Sequence, residues 1–565
     1  MLPQTELKAL FLPAMRQRFK AEINRLTGGD MLQMLGSRAH AKELCFLLSY
    51  VYAYHWLQQN VHPSYRQEML ATFTRGRQGF LMQLMLQSQD DRQFILGYIE
   101  HWQNATDASL VQGQQILGLL SENGLQPEQL AQYIGELWDS LDLFSKTPSI
   151  AYRELARDER NRYGDMLSEA DQQRLTLIDE LPDLPGKHPG FDKLGLIPAM
   201  GCPQSCRHCM FIWRPLVKLN EAPEKLYSML DQLTNSILFT GGDLTRHLQH
   251  FYDAIRHMRH ITTFAILLNG DFATDIQVTE QTLQAMSQAI SNRPKHWPKA
   301  HILLQISFDE FHQEVIVDKK GLLKERIPVS RIANIVELAP NYAQQIQLCL
   351  LHKQHALNFS MDLFSQGVFG RLAQELGKRG RQLQIVSTAG SSRLKQNPQQ
   401  PKATPAKVLK DASFVLTDYP DSPILLTSST IDAYGRAQLL EQGESVHDQG
   451  LLQSLLQTGD AGGEAFDTDL MFWFNGWVTL FSAVHLCLGN VYEDGLQRIL
   501  QRQRKDPLSK ALQKFDRRLL DYYAEIRKDL PQLIDQSSGP HHLFHQLTED
   551  SAVRLHMTQR LMDEA

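Results

Sequence analysis

Cys202, Cys206 and Cys209 place three thiols within eight residues, at C-x3-C-x2-C spacing, in a chain of 565 residues that carries six cysteines in all. Six is too few for a disulfide framework at this length. Soft sulfur ligands so spaced can wrap one face of a metal cluster, and they select iron–sulfur clusters, zinc or copper(I). Three ligands rather than four matters: a cubane held at three corners leaves one iron open to bind something else. Cys45, Cys349 and Cys487 stand alone in apolar contexts and read as small buried hydrophobes.

Three further segments put polar or glycine residues where a strand should end. Ile237-Leu238-Phe239-Thr240-Gly241-Gly242-Asp243 is an apolar run closing on Gly-Gly-acid, some thirty residues after the cysteines. Leu268-Asn269-Gly270 and Ser307-Phe308-Asp309-Glu310-Phe311-His312 close two later runs. Taken singly, each is compatible with turn chemistry or a helix cap.

The elements that must position these groups are visible as periodicity. KLGLIPA (193–199), SILFT (236–240), TTFAILLN (262–269), HILLQISF (301–308), QIQLCLL (345–351) and RQLQIVST (381–388) are short apolar runs separated by amphipathic helical stretches. That alternation predicts an α/β fold with a parallel sheet, six βα units forming a partial (βα)6 barrel over about 190–395. In such a sheet the C-terminal rim carries the active site, and the cysteines follow the first strand directly. Residues 1–180 read as an all-helical N-terminal domain of unassigned role, ending at the helix breakers of 181–190. Beyond Pro398, Pro401 and Pro405, residues 410–530 read as a small α+β extension, and 531–565, with His541, His542 and His545, as a polar, loosely ordered tail.

The four motifs, in this order, resemble the radical S-adenosylmethionine superfamily. The resemblance covers about 190 to 390, with a weaker echo to about 500. It implies a [4Fe–4S] cluster on Cys202, Cys206 and Cys209 and S-adenosylmethionine on the open iron. By the same resemblance, Gly241, Gly242 and Asp243 offer extended backbone to the methionine amino group, and side chains there would block the approach. Asn269 is a further implied cofactor-binding residue, standing with Gly270 where similar enzymes often carry Asn-Gly. Ser307, Asp309 and His312 match a Ser-x-Asp-x-x-His segment whose polar groups reach the ribose or methionine, and His208 lies near the adenine. The activity implied is reductive cleavage to a 5′-deoxyadenosyl radical that abstracts hydrogen from a substrate. No catalytic acid, base or relay residue is assigned.

After the core, Ile431-Asp432-Ala433-Tyr434-Gly435-Arg436-Ala437 resembles the Gly-Arg-Ala segment of peptide- and protein-modifying members. Gly476-Trp477-Val478 through Cys487-Leu488-Gly489-Asn490-Val491-Tyr492-Glu493-Asp494 resembles their C-terminal (SPASM/twitch-like) extension. That extension often holds auxiliary clusters on up to seven cysteines; here Cys487 alone is present, which implies a cysteine-poor structural remnant. Arg436 reads either as a fork for a substrate carboxylate or phosphate or as a structural salt bridge. The implied partners are a peptide or small-molecule substrate and an electron donor such as flavodoxin or ferredoxin.

Bulk properties narrow the classes. A formal charge of −6 with no Lys/Arg run excludes the electrostatic footprint of a nucleic-acid binder. No segment approaches the ~18 apolar residues of a membrane span, and the N-terminus carries no signal-peptide pattern, so a cytoplasmic location is expected. At 565 residues two or three domains are expected. The rival outside this class is a structural zinc site completed by His208, which leaves Gly241-Gly242-Asp243 unexplained.

Overall fold

The computed structural model describes residues 87–104, 111–122, 126–132, 165–204, 208–211, 223–309, 311–313, 315–317, 323–353, 367–393, 407–429, 435–439, 449–463 and 465–564, with 47, 51, 84, 124, 134, 206 and 431. The chain divides into two compact units: Met1–Ala156 with Gln313–Pro328, and Arg157–His312 with Val329–Ala565.

The N-terminal part of the first unit includes two described helices, Asp91–Gln103 and Val111–Glu122. Helix Asp91–Gln103 starts on Asp90, whose side chain accepts from Gln93 N–H, an N-cap that satisfies one of the open amides of the first turn. Helix Val111–Glu122 approaches it closely because Gly113 has no Cβ; one built there would sit 2.5 Å from the ring of buried Trp102. Residues Val315–Val317 (β5) and Leu323–Glu325 (β6) add an antiparallel hairpin to this unit, so the unit is not all-α. His101, in the last turn of helix Asp91–Gln103, has its ring edge-on to Tyr98.

The second unit is built on one eleven-stranded sheet. Its strands are Leu194–Ile197 (β1), Ser236–Phe239 (β2), Thr263–Leu268 (β3), His301–Ser307 (β4), Ile346–Lys353 (β7), Leu383–Arg393 (β8), Lys407–Leu416 (β9), Ile424–Ser429 (β10), Leu470–Trp473 (β11), Trp477–Leu480 (β12) and Cys487–Asn490 (β13). Their order is β13-β12-β11-β1-β2-β3-β4-β7-β10-β9-β8, and the run from β11 to β10 is parallel throughout. β1 and β11 are buried at every position, as expected of central parallel strands covered on both faces. Helices such as Ile276–Ser291, capped by Asp275 on Val278 N–H, make the crossovers.

The sheet corrects three expectations. The sixth expected unit, 381–388, is the antiparallel edge strand β8 paired with β9. The parallel place beside β7 goes to β10, from the stretch assigned to the extension. That extension is not a separate layer either, since β11 pairs in parallel with β1. Gly195 makes this pairing close: a Cβ there would lie 2.3 Å from the Met471 sulfur.

The third correction concerns 531–565, which is no tail. Helices Leu530–Gln536, Pro540–Leu547 and Ser551–Asp563 occupy it. The last binds back to helix Glu169–Glu180: Arg554 donates to Asp171 through Nε (2.9 Å) and Nη2 (2.7 Å), all buried. A second buried pair joins Arg174 to Asp506. The helix placed at the end of the expected N-terminal domain therefore belongs to the sheet unit.

Candidate cofactor site

β1 ends at Ile197 and the backbone runs on through Ala199, Met200 and Gly201 into Cys202. The segment after β2 follows beside it. Thr240 N–H donates to Leu196 O (3.0 Å), Gly242 N–H to Ala199 O (3.2 Å) and Asp243 N–H to Gly201 O (2.8 Å), extending the pairing beyond both strands. Gly241 has φ +127°, and a Cβ would lie 2.6 Å from Ala199 O; at Gly242 it would lie 2.3 Å from the carbonyl oxygens of both Met200 and Gly201. No other residue fits either position, because the atoms in the way are backbone. The Gly-Gly-Asp segment thus lies flat against the entry to the cysteine loop.

Asp243 turns the chain out of the site. Its Oδ1 accepts from Thr245 N–H (3.2 Å) and Thr245 Oγ1 (2.7 Å). Burial pushes its carboxyl pKa up, with the Asp271 carboxylate adding to this, against the hydrogen bonds from Thr245.

The end of β3 is tied to the same loop. Gln204, between Cys202 and Cys206, donates to Asp271 Oδ2 (3.2 Å), Asp271 N–H donates to Asn269 Oδ1 (2.8 Å), and Arg331 donates to Asp271 O (2.6 Å). Asn269 is buried, and its Nδ2 makes no hydrogen bond among the described residues. A buried amide donor left open in this way suits a ligand that brings an acceptor.

The end of β4 brings an ion-paired cluster. Ser307 closes the strand, buried, two residues before Asp309. Asp309 Oδ1 accepts from the N–H groups of Phe311 (3.0 Å) and His312 (2.9 Å), and His312 Nδ1 lies 3.0 Å from both carboxylate oxygens. His208 Nε2 stands 3.7 Å from Asp309 Oδ2, its ring stacked on Phe311 at 4.6 Å. Burial opposes charge on both Asp309 and His312, yet their mutual attraction wins. The carboxyl is held well below its usual range by His312 and His208, and the imidazole is raised by Asp309 and by the Cys206 thiol it hydrogen-bonds. The donor atoms of His208, Asp309 and His312 lie within 4.8 Å of one another. His208 thus faces this carboxylate.

The loop has a further partner downstream. Arg436 and Ala437 N–H both donate to Cys209 O (2.8 and 3.2 Å), and Arg436 Nη1 donates to Cys206 O (3.3 Å). Phe211, Met200, Trp473, Phe474, Met471 and Cys487 belong to an apolar cluster against which Cys209 packs. Burial pushes the Cys487 thiol up to about 12, and its side chain packs within that cluster. Cys349 is likewise buried and raised, its Sγ 3.0 Å from Thr427 Oγ1. Cys45 lies outside the described residues.

The loop, Gly241 to Asp243, Asn269 and the Asp309 cluster thus meet at the C-terminal ends of β1 to β4. Sequence reasoning singled out His312 in one segment with Ser307 and Asp309, but assigned no role to Gln204, Asp271 or Arg331.

The residues fit the implied groups. Three thiols on one loop suit an iron–sulfur cluster, and the open Asn269 amide and glycine-walled segment suit a small polar ligand beside it. No family profile and no curated protein matches the chain. Among solved structures, the chain is similar to one described as native anSMEcpe with bound AdoMet and Cp18Cys peptide, at 12% identity and a TM-score of 0.33, over 66% of this chain and 99% of that one.

Proposed function

We propose that this chain is a radical S-adenosylmethionine enzyme with a partial-barrel core, and that it modifies a peptide or protein. The observation that carries the reading is the pairing of the cysteine loop with Gly241-Gly242-Asp243 beyond the ends of β1 and β2, with Asn269 tied to the same loop through Asp271 and Gln204. Cys202, Cys206 and Cys209 would hold a [4Fe–4S] cluster. When bound, that cluster and S-adenosylmethionine supply one-electron reductive cleavage to a 5′-deoxyadenosyl radical, which takes a hydrogen atom from the substrate.

The protein's own residues bind and orient. Gly241 and Gly242 keep side chains out of the contact with the loop. Asn269 offers its amide donor to a carboxylate or hydroxyl, and Asp309 and His312 form a fixed charge pair against Cys206. The apolar cluster over Cys209 excludes water from that side of the loop. An electron enters from a carrier of the flavodoxin or ferredoxin type. The peptide assignment rests on the resemblance of Gly435-Arg436-Ala437 and of 476–494 to peptide-modifying relatives; a small-molecule substrate is the alternative. No helix among the described residues is long and apolar enough to cross a membrane.

The test is anaerobic reconstitution with iron and sulfide, reduction with dithionite, and chromatography for 5′-deoxyadenosine. Wild type should take up about four iron and four sulfide and produce the nucleoside, while Cys206→Ala produces none. A chain that binds one zinc and no cluster overturns the reading.

A further inference from the structure

Two of the three cysteines are held from behind by a turn 230 residues further along the chain. The turn Gly435–Leu439 follows β10. Gly435 has φ +68°, and a Cβ there would lie 2.2 Å from the carbonyl carbon and oxygen of Met210 and 2.7 Å from Phe211 N. Nothing larger than glycine can occupy it, so the two backbones are pressed together.

In that contact the Cys209 carbonyl receives two N–H donors and the Cys206 carbonyl one arm of the Arg436 guanidinium. Cys206 O also accepts Cys209 N–H at 3.3 Å, so the guanidinium arm joins the bond that sets the turn between the two thiols. Arg436 is 8% exposed. Ala437 packs with Phe311 and Ile431, which links the same turn to the aromatic ring stacked on His208. The sequence offered Arg436 two roles, a fork for substrate or a structural salt bridge. To these the geometry adds a contact with the peptide backbone of the cysteine loop.

We propose that Arg436 is a positioning residue of the cluster. It fixes the Cys206–Cys209 turn so that both thiols are preset for iron, and it places a permanent positive charge behind that turn, which favours the reduced cluster. Arginine suits the task because it stays protonated and its planar fork holds direction. Cluster potentials respond to net charge, hydrogen bonding and burial. The inference rests on the cluster reading above and concerns the protein's own side of it.

The experiment compares wild type, Arg436→Lys and Arg436→Gln, each reconstituted anaerobically, with iron and sulfide per chain, redox titration followed by electron paramagnetic resonance, and thermal melting of the metal-free chains. In Arg436→Gln the reduced-to-oxidised ratio at a fixed poise should fall about tenfold, ~59 mV for a one-electron couple. Arg436→Lys should return to within about twofold of wild type, since it restores the charge. Gln and Lys variants that both load and titrate as wild type overturn the proposal. If Arg436→Gln takes up no cluster, Arg436→Lys decides: restored loading supports the proposal, and an equally empty Lys variant overturns it. Wild type that takes up no cluster refutes the proposed function instead.

Discussion

Gly242 is the residue on which the site depends most sharply. A methyl group there would meet two carbonyl oxygens at 2.3 Å, and a backbone cannot move aside as a flexible side chain can. Gly242→Ala should therefore displace the cysteine loop and lower iron uptake about tenfold or more, the scale of losing a group that orients a metal ligand. The measurement is iron per chain after reconstitution, and uptake equal to wild type would refute the close packing. This glycine was legible because it follows a strand and precedes an acid. Arg436 was not, because its partners are carbonyl oxygens, which every residue has and no pattern marks. Asp271 was hidden for a similar reason: an acid after Asn-Gly reads as turn chemistry until Gln204 is seen to reach it.

Among the elements, the first five parallel strands were readable because each is a short apolar run followed by a helical pattern. β8 was misplaced rather than misdirected: β10 is parallel to β7 and β9 antiparallel to both β10 and β8, so β8 runs the same way as β7 but pairs with β9 at the edge. An apolar run does not say which strand it will lie beside. Helix Ile276–Ser291 begins on a readable signal, Asp275, whose Oδ1 accepts Val278 N–H at 2.8 Å. Asp275→Ala should cost about 1 kcal/mol in denaturant unfolding. At the head of β11, half-buried Asp469 has its pKa pushed up to about 6, first by burial and then by Asp467 and Asp192, against the N–H and ammonium of Lys193. The unfolded carboxyl titrates near ~3.9. Between these values the folded chain binds more protons than the unfolded one, so this stability is complete below pH ~4 and is lost as pH rises through about 6. Screening at a half-exposed site leaves ~1 kcal/mol. Asp469→Asn keeps the acceptor for Lys193 N–H, and should stabilise by about that amount at pH 7.5 and leave pH 4 unchanged. An equal shift at both pH values would exclude the titration as the cause.

In the second unit taken whole, the end of the chain is structural. Arg554 fastens helix Ser551–Asp563 to Asp171 on helix Glu169–Glu180, and also donates to Thr548 O (2.8 Å) and Glu549 O (2.7 Å). Arg554→Ala leaves Asp171 buried without its partner and should cost about 3 to 5 kcal/mol, while the double change with Asp171→Asn should recover part of that loss. Equilibrium unfolding of the two variants checks this, and additive losses would show that the pair is not coupled. The expectation of a tail failed because polar residues here are spent on buried pairs with a segment far away in sequence, which composition cannot report.

The distance between the cysteines and the turn that braces them also sets an order of events. At about 5 to 20 residues per second, the 230 residues between Cys206 and Arg436 take roughly 10 to 50 s to synthesise. β11, which covers the other flank of β1, emerges later still. Throughout that interval the three thiols protrude on a nascent chain with neither brace nor cover, open to zinc and to oxidants. On the cluster reading, the preset site for iron then exists only once Arg436 and β11 have been made.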